Sequence, residues 1–268
     1  MNANRFNDII CPKCSENLYL DKNCLKCENG HCYDVSSKGY VNLLPPHKQG
    51  TIPGDNKEMV QARRAFLAKG YYEPLANKIY EIMKQISPEF IVDIGCGEGY
   101  YTGKLLSNAG NRVVGFDISK FALAYAAKLY KDVAFCVANL HDIPLKSESC
   151  DAVLCCFCAC DEVEFARILK KCGKFVLVTP GKRHLFGLKS ILYDCPYEND
   201  TDIEFDRFKQ TENYEVSYNI SVEKGDIWNL FSMTPYYWKT SKEASEKLKN
   251  IDTLCTEADF LIRVYQKT

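Results

Sequence analysis

The sequence predicts an α/β fold with a mostly parallel sheet, preceded by a small cysteine-rich unit. Strand and helix patterns alternate between residues 90 and 193, which is typical of βαβ units. A glycine-rich turn, Gly95-Cys96-Gly97-Glu98-Gly99, directly follows the first strand of this alternation. Residues 1–40 instead hold closely spaced cysteines and little helical periodicity. The two regions therefore require separate explanations.

Each element of the sheet region is predicted from its own pattern. Short apolar runs rich in β-branched residues predict strands at 90–94, 112–116, 133–137, 151–157 and 174–179. Helical periodicity predicts helices at 56–69, 73–86, 100–108, 119–130, 161–171 and 184–193. Two further strands, at 214–222 and 255–266, would close the sheet, and the polar segment 194–213 is predicted to be a mobile loop.

Turn-forming residues divide the chain into three parts. Residues 45–55 contain five prolines and glycines among polar residues and are predicted to be a linker. We therefore expect a cysteine-rich domain at 1–44, a linker and helical segment at 45–89, and the sheet domain at 90–268.

Composition limits the function classes. The net charge is −1 and 26% of residues are charged, so any nucleic-acid surface must be a local basic patch. The polar start, residues 1–8, predicts no signal peptide, and the longest apolar run, around 152–160, is too short to span a bilayer. With no leader, the 15 cysteines indicate thiols and metal ligands in a reducing cytoplasm rather than a disulfide framework.

The glycine-rich turn predicts a nucleoside-containing cofactor. Glycines let the backbone approach a ligand closely, and Asp117, at the end of the second strand, is placed to accept hydrogen bonds from ribose hydroxyls. Dinucleotide sites use G-x-G-x-x-G. Here the spacing is G-x-G-x-G with Asp93 before it, which resembles the first motif of the S-adenosylmethionine-dependent methyltransferases. That ligand lacks a phosphate and carries a sulfonium and an ammonium, which suit nearby acids.

The N-terminal cysteines have the spacing of a structural zinc site. Cys11-Pro12-Lys13-Cys14 is followed by Cys24, Cys27, His31 and Cys32, and four such ligands suit tetrahedral zinc. Spacing alone leaves two ligand sets open, which are Cys11, Cys14, Cys27 and His31, or Cys11, Cys14, Cys24 and Cys27. Either set would be structural, because four protein ligands leave no position for water, and the metal would supply folding energy to a small unit.

Several longer motifs lie outside these two sites. They are GYVNLLP (39–45), PGD (53–55), QARRAFL (61–67), YEPL (72–75), DIGCGEGYYT (93–102), DISK (117–120), TPGKRHL (179–185) and MTPYYW (233–238). Together with the zinc spacing they resemble the bacterial 23S ribosomal RNA guanine-N1 methyltransferases nearly end to end. The resemblance implies a Rossmann-like, S-adenosylmethionine-dependent methyltransferase sheet with an N-terminal zinc-binding, RNA-recognition domain.

The resemblance also implies site residues and partners. It favours Cys11, Cys14, Cys27 and His31 as zinc ligands, and it places cofactor contacts at Tyr72, Asp93, Gly95, Gly97, Glu98, Gly99, Asp117, Asn139, Leu140 and His184. It implies 23S ribosomal RNA as the partner, a guanine in a hairpin loop as the target, and a homodimer. Candidate RNA contacts are Lys13, Lys22, Lys26, Arg63, Arg64, Lys182, Arg183 and Trp238.

The chain departs from the family pattern after the fourth strand of the methyltransferase sheet. The family reads arginine-isoleucine-aromatic-alanine-proline-cysteine there, whereas residues 155–160 read CCFCAC. Glu98, Asp161 and Glu162 are at the right end of the sheet for a general base, but the sequence does not identify one. Two rival functions therefore stay open: a small-molecule methyltransferase, and an RNA-binding protein without activity.

Overall fold

One eight-stranded sheet carries the fold in the computed structural model, which describes residues 3–45, 54–106 and 111–268. Its strand order is β10-β11-β9-β8-β5-β6-β7-β4. The strands from β4 to β9 pair in parallel, and β11 and β10 are antiparallel. The bounds are β4 Val41–Asn42, β5 Phe90–Ile94, β6 Arg112–Asp117, β7 Ala134–Val137, β8 Cys150–Cys156, β9 Leu169–Pro180, β10 Phe208–Glu223 and β11 Thr253–Lys267.

Helices cover the sheet and connect its strands. They are α1 Lys57–Ala68, α2 Glu73–Ile86, α3 Tyr100–Leu105, α4 Lys120–Leu129, α5 Glu162–Ile168, α6 Phe186–Leu192, α7 Lys224–Ser232, α8 Tyr236–Lys239 and α9 Lys242–Glu246. Side-chain caps fix several starts: Asn56 accepts from the Met59 amide before α1, and Ser119 accepts from the Ala122 amide before α4. Val60, Phe66 and other apolar residues on one side of α1 are buried, which fixes how the helix faces the core.

The order of the strands marks where a ligand binds. The chain leaves β5 for β6 and β7 on one side, and returns to β8 and β9 on the other side. In open α/β sheets the crevice at such a reversal, beyond the carboxyl ends of the strands, is the usual ligand position. Residues 95–99, called the glycine-rich loop below, begin at this point, directly after β5.

The N-terminal unit, residues 3–44, is part of the same folded body. It has its own sheet of β1 Tyr19–Asp21, β2 Cys24–Lys26 and β3 Cys32–Asp34. Its last strand, β4, then joins the large sheet beside β7, with Val41 opposite Cys136. Phe6, Ile9 and Leu25 of this unit share one buried core with strands of the large sheet. The boundary predicted at residue 44 therefore does not separate two hydrophobic cores.

Polar contacts tie the N-terminal unit to the amino ends of β6 and β7. The Arg5 guanidinium donates to the backbone carbonyls of Lys131 and Gly39. Arg112, the first residue of β6, forms an ion pair with Asp8 at 2.6 Å. These anchors lie at the edge of the sheet opposite to the glycine-rich loop.

The structure confirms most predicted elements and corrects others. The helix predicted at 161–171 ends at Ile168, because Leu169 pairs with Cys150 and begins β9. The predicted loop 194–213 is wrong for residues 208–213, which belong to β10 and pair with β11. The helices α7, α8 and α9 were not predicted. Most of the predicted linker, and residues 107–108 of a predicted helix, lie outside the described residues.

Within residues 3–45, 54–106 and 111–268, no helix combines the length and the apolar character that a bilayer crossing requires.

Candidate functional sites

Four side chains of the N-terminal unit converge on one point. The ligand atoms of Cys11, Cys14, Cys27 and His31 all lie within 4.8 Å of one another. His31 Nδ1 is 3.4 Å from each of the three sulfurs, and the Cys14 and Cys27 sulfurs are 3.7 Å apart. The turn after Cys11 and the turn between Cys27 and His31 are each closed by backbone hydrogen bonds. These turns bring the two halves of the set together.

The arrangement fits tetrahedral zinc. Zinc bonds of about 2.3 Å to sulfur and 2.0–2.1 Å to nitrogen place two sulfurs about 3.8 Å apart and a sulfur and a nitrogen about 3.5 Å apart. The observed separations are within about 0.2 Å of these values. Four protein donors complete the coordination, so the site is suited to a structural ion.

Neighbouring groups favour the thiolate that a metal requires at two of the three cysteines, whereas burial raises the pKa of Cys27. Burial raises the pKa of Cys11, but hydrogen bonds from the Tyr33 hydroxyl and the backbone outweigh burial and lower it. The Asn29 side chain and the Glu16 amide likewise lower the pKa of Cys14. Tyr33, whose Oη lies 3.2 Å from the Cys11 sulfur, thus supports the ligand set from outside. No spacing rule in the sequence points to Tyr33.

The other two cysteines of the N-terminal unit are joined to each other. Cys24 and Cys32 form a disulfide across β2 and β3, with their Cα atoms 6.3 Å apart. This single bond is an exception among the 15 cysteines, since the other 13 are free, so the expectation of thiols and metal ligands rather than a disulfide framework stands. The bond forms because the antiparallel register brings the two side chains together. Because its sulfur is bonded to Cys32, Cys24 is not available as a ligand in the alternative four-cysteine set.

The glycine-rich loop requires its glycines. Gly95, Gly97 and Gly99 all have positive φ, at +68°, +55° and +83°, a region that other residues rarely adopt. A Cβ on Gly95 would lie 2.6 Å from the Cys158 Cβ. The loop is therefore tightly packed against the residues that follow β8, and Gly97 and Gly99 are buried.

Two acids flank the loop in different ways. Asp117, at the end of β6, accepts from the Gly97 amide at 2.9 Å and from the Ser119 amide at 2.7 Å, so it fixes the loop against the neighbouring strand. Asp93 is buried behind the loop, and its carboxylate accepts from the Thr102 hydroxyl at 2.6 Å. Burial raises the pKa of Asp93 to about 7. Asp93 thus holds α3 to β5.

Glu98 and Arg63 form a charged network over the loop. Arg63 Nε donates to Glu98 at 2.7 Å, and Nη1 donates to Asp55. Burial alone would lower the pKa of Arg63, but the two carboxylates outweigh it and raise it. Arg63 was predicted to contact RNA, whereas it lies at the glycine-rich loop. Arg64 points elsewhere, with its guanidinium 3.9 Å from the Tyr125 ring centroid.

Tyr72 and His184 are 112 residues apart in the chain but meet in the core. The His184 Nδ1 accepts from the Asp259 amide at 3.3 Å, so the ring proton is on Nε2, which lies 3.4 Å from the Tyr72 hydroxyl. Burial lowers the pKa of His184 to about 3. The histidine is therefore neutral at physiological pH. The structure brings together these two residues, which the sequence analysis predicted for one site.

An aromatic cluster connects this pair to the glycine-rich loop. Phe260 contacts both Tyr72 and His184, with ring centroids 4.9 and 4.7 Å away, and Phe157 lies 5.7 Å from Phe260. Phe157 follows β8, has φ of +56°, and is 41% exposed. Tyr101, next to the loop, is 6.2 Å from Phe157. Neither Phe157 nor Phe260 was predicted as a site residue.

The remaining predicted residues are spread along the same edge of the sheet. Asn139 and Leu140 follow β7, and the Asn139 side chain accepts from the His141 amide at 3.2 Å. Lys182 and Arg183 follow β9, and Arg183 pairs with Glu257 at 2.7 Å. Parallel strands end at one edge, so all four lie on the side of the glycine-rich loop. The structure does not bring Asn139 into contact with Tyr72 or His184.

The sequence of this chain is similar to two known protein families and to known proteins. Residues 91–177 match the family described as "Methyltransferase domain", and residues 9–51 match "RlmA, N-terminal", a zinc ribbon. YxjB of Bacillus subtilis (strain 168), provisionally named a 23S rRNA (guanine-N(1)-)-methyltransferase, is 30% identical over 96% of this chain and 97% of its own length. The chain belongs to the 23S rRNA (guanine-N1)-methyltransferase family.

Another relative in this family is the 23S rRNA (guanine(748)-N(1))-methyltransferase of Streptomyces fradiae, 32% identical over 72% of this chain and 70% of that protein. A solved structure, the YcgJ protein of Bacillus subtilis, is 16% identical, covers 72% of this chain and 97% of that chain, and has a TM-score of 0.48. That structural likeness is too weak to support an argument.

Family membership gives the two sites their ligands. The methyltransferase domain uses S-adenosylmethionine, and the zinc ribbon with its cysteine and histidine cluster holds zinc. Both fit what the structure shows, because the quartet has tetrahedral spacing and the loop has its glycines beside acids. The expected fold class and both cofactors are thereby confirmed.

Proposed function

We propose that this protein methylates N1 of a guanine in a hairpin loop of 23S ribosomal RNA. The observation that carries the proposal is the union of the zinc ribbon and the methyltransferase domain in one chain, aligned with nearly the full length of a relative named for this reaction. A small-molecule methyltransferase would not need the zinc-stabilised N-terminal unit, which exposes Lys13 and Lys22. The intact glycine-rich loop argues against a protein that has lost activity.

We propose that Cys11, Cys14, Cys27 and His31 hold the zinc ion, and that the cofactor lies on the glycine-rich loop. Its binding residues would be Tyr72, Asp93, Gly95, Gly97, Glu98, Gly99, Asp117, Asn139, Leu140 and His184. S-adenosylmethionine, when bound, supplies the methyl group on its sulfonium. Asp117 would accept from the ribose while holding the loop. Tyr72 and the neutral His184, fixed by each other, would shape the methionine end of the site.

Methyl transfer is an in-line displacement, so the main task of the protein is to align the guanine. An RNA base must leave its stack to be methylated, and aromatic side chains hold such bases. Phe157 supports this role because it is 41% exposed at the end of β8, beside the loop. Its ring would support the target guanine above the methyl group.

The N1 proton of guanine must leave during the reaction. The three carboxylates predicted near the site are already engaged. Glu98 accepts from Arg63, Asp161 caps α5 by accepting from the Glu164 amide, and Glu162 accepts from the Arg207 amide. Each of these three carboxylates therefore has a structural partner, and a role as general base would use acceptor capacity that this partner leaves open.

RNA recognition is proposed to use basic residues of both regions. Lys13 and Lys22 are exposed on the N-terminal unit, Lys182 and Arg183 are exposed beyond β9, and Trp238 is 66% exposed on α8. Lys26 is paired with Asp21 at 2.6 Å and is less available. We also propose a cytoplasmic homodimer, as the family resemblance implies, which light scattering on the purified protein would test.

The experiment is methylation of a 23S rRNA hairpin transcript with labelled S-adenosylmethionine, followed by mapping through reverse-transcriptase arrest. N1 methylation blocks base pairing, so we expect one new arrest at a loop guanine. Lys13→Glu with Lys22→Glu should weaken RNA binding and reduce its salt dependence, while Lys171→Glu, on the opposite edge, serves as the control. Incorporation of label without an arrest, or no incorporation, would refute the proposal.

A further inference from the structure

Arg63 extends from α1 over the glycine-rich loop. A Cβ built on Gly97 would lie 3.2 Å from Arg63 Nη2 and 3.7 Å from Cζ. The guanidinium therefore lies against the backbone of the loop at Gly97, in space that a side chain there would occupy. Its own side chain is only 22% exposed.

Two of the three guanidinium nitrogens are already used. Nε donates to Glu98 and Nη1 donates to Asp55. Within the chain that the structure describes, no acceptor is hydrogen-bonded to Nη2. Asp55 is itself held, because its carbonyl accepts from the Ser119 hydroxyl at 2.7 Å. The guanidinium is thus fixed on two sides and presents its remaining nitrogen to the loop.

Acidic side chains outnumber basic ones around the glycine-rich loop. Asp55, Asp93, Glu98 and Asp117 are acids, and Arg63 is the cation that contacts this group. The methionine part of S-adenosylmethionine has an ammonium and a sulfonium, which suit acids, and also a carboxylate, which acids repel. A guanidinium is suited to receive a carboxylate because it is always charged and its N–H groups form strong charge-assisted hydrogen bonds; here Nη2 is the nitrogen left to donate.

We propose that Arg63 binds the carboxylate of the methionine part of S-adenosylmethionine through Nη2, with Glu98 and Asp55 fixing the guanidinium. Arg63 is then a cofactor-binding residue and not an RNA contact. The inference rests on the cofactor and the loop alone, so it stands or falls independently of which RNA is methylated.

A purely structural role for Arg63 is the alternative. Arg63 could simply tie residue 55 and α1 to the loop, and its loss would then disturb every ligand of the loop. The two roles differ in one respect. Only carboxylate binding distinguishes S-adenosylmethionine from decarboxylated S-adenosylmethionine, which keeps the ammonium, the sulfonium and the nucleoside.

The test is calorimetric titration of both compounds into wild type, Arg63→Gln and Arg63→Lys, with Arg64→Gln as the control from the same helix. We expect Arg63→Gln to weaken S-adenosylmethionine binding roughly 10- to 100-fold, the effect of one charged hydrogen bond. Its affinity for the decarboxylated compound should change less than about threefold. Arg64→Gln should bind both compounds as wild type does.

Arg63→Lys covers the case in which Arg63→Gln leaves Glu98 and Asp55 unpaired and fails to fold. It keeps the charge, so it should fold, lose part of the preference for the carboxylate, and retain affinity for the decarboxylated compound. Equal loss of affinity for both compounds in the folded variants, or an unchanged ratio between them, would overturn the proposal. A failure to methylate RNA would not affect this readout.

Discussion

Cys11 and Cys14 have the same C-x-x-C spacing as Cys155 and Cys158, yet the surroundings of the two pairs differ. The first pair meets Cys27 and His31, with His31 Nδ1 3.4 Å from each sulfur. In the second pair the sulfurs are 2.9 Å apart, and Cys160 is 3.7 Å from Cys155. Cys155, Cys158 and Cys160 are called the thiol cluster below. Among the described residues, no histidine or fourth cysteine joins them in a set whose ligand atoms all lie within 4.8 Å of one another.

The pKa shifts of the two groups of cysteines also differ. Hydrogen bonds lower the pKa of Cys11 and Cys14, which favours thiolates for a cation. In the thiol cluster, hydrogen bonds with Cys158 and Cys160, together with burial, raise the pKa of Cys155 well above its usual value. Cys158 donates to the Ile94 carbonyl at 3.2 Å. A C-x-x-C pair therefore predicts metal only when a second pair of ligands meets it, and here the thiol cluster serves as packing behind Gly95.

The largest effect should come from the zinc quartet. His31→Ala removes one of four ligands, and structural zinc contributes roughly 10 kcal/mol or more to the folding of small units. Because the N-terminal unit shares a core with the large sheet, the loss should reach the methyltransferase region. We expect loss of the metal and a melting temperature lowered by at least about 20 °C, since each kcal/mol is worth about 2–4 °C at this size. Metal analysis and calorimetry measure both.

Cys24→Ser is the matched control for His31→Ala. Cys24 lies in the same unit but is bonded to Cys32, so this variant should keep one zinc per chain. If Cys24→Ser loses the metal while His31→Ala retains it, the ligand set is the four-cysteine one and the comparison between the two pairs must be redrawn.

A smaller effect is expected from the thiol cluster. Cys155 is fully buried, so Cys155→Ala leaves a small cavity and should cost roughly 1–2 kcal/mol of unfolding free energy. The zinc content should stay at one per chain, because the cluster is not part of the zinc site. Denaturant unfolding and metal analysis test this pair of outcomes. Zinc loss in this variant would show that the thiol cluster is a second metal site.

The difference between local patterns and long-range contacts explains how much of the molecule could be predicted from its sequence. Zinc spacing and the glycine-rich turn are local patterns, so a metal site, the loop and strands such as Phe90–Ile94 could be predicted, while the choice between the two ligand sets needed the family resemblance. The end of α5 at Ile168 depends on pairing between Leu169 and Cys150, which no local pattern contains. The true place of Arg63 depends on Asp55 and Glu98, and the shared core depends on β4 reaching β7. These are long-range contacts.

The smallest expected effect is a difference in thiol reactivity within the cluster. The hydrogen bond with Cys155 lowers the pKa of Cys160, although burial opposes it, and Cys160 is only partly buried. The thiolate is the reactive form, so Cys160 becomes reactive at lower pH than an ordinary thiol, while Cys155 stays protonated and inaccessible. Iodoacetamide labelling of the native protein from pH 6 to pH 9, read by peptide mass spectrometry, compares them.

We expect the labelling midpoint of Cys160 to fall at lower pH than that of free cysteine labelled under the same conditions, and Cys155 to label several-fold more slowly than Cys160. Cys11, Cys14 and Cys27 should be protected while zinc is bound and should react after a chelator removes it. Chelator should leave the rate at Cys160 unchanged, because the cluster owes its structure to packing. A rate at Cys160 that rises with chelator would mean that metal protects both C-x-x-C pairs, and the contrast between them would be lost.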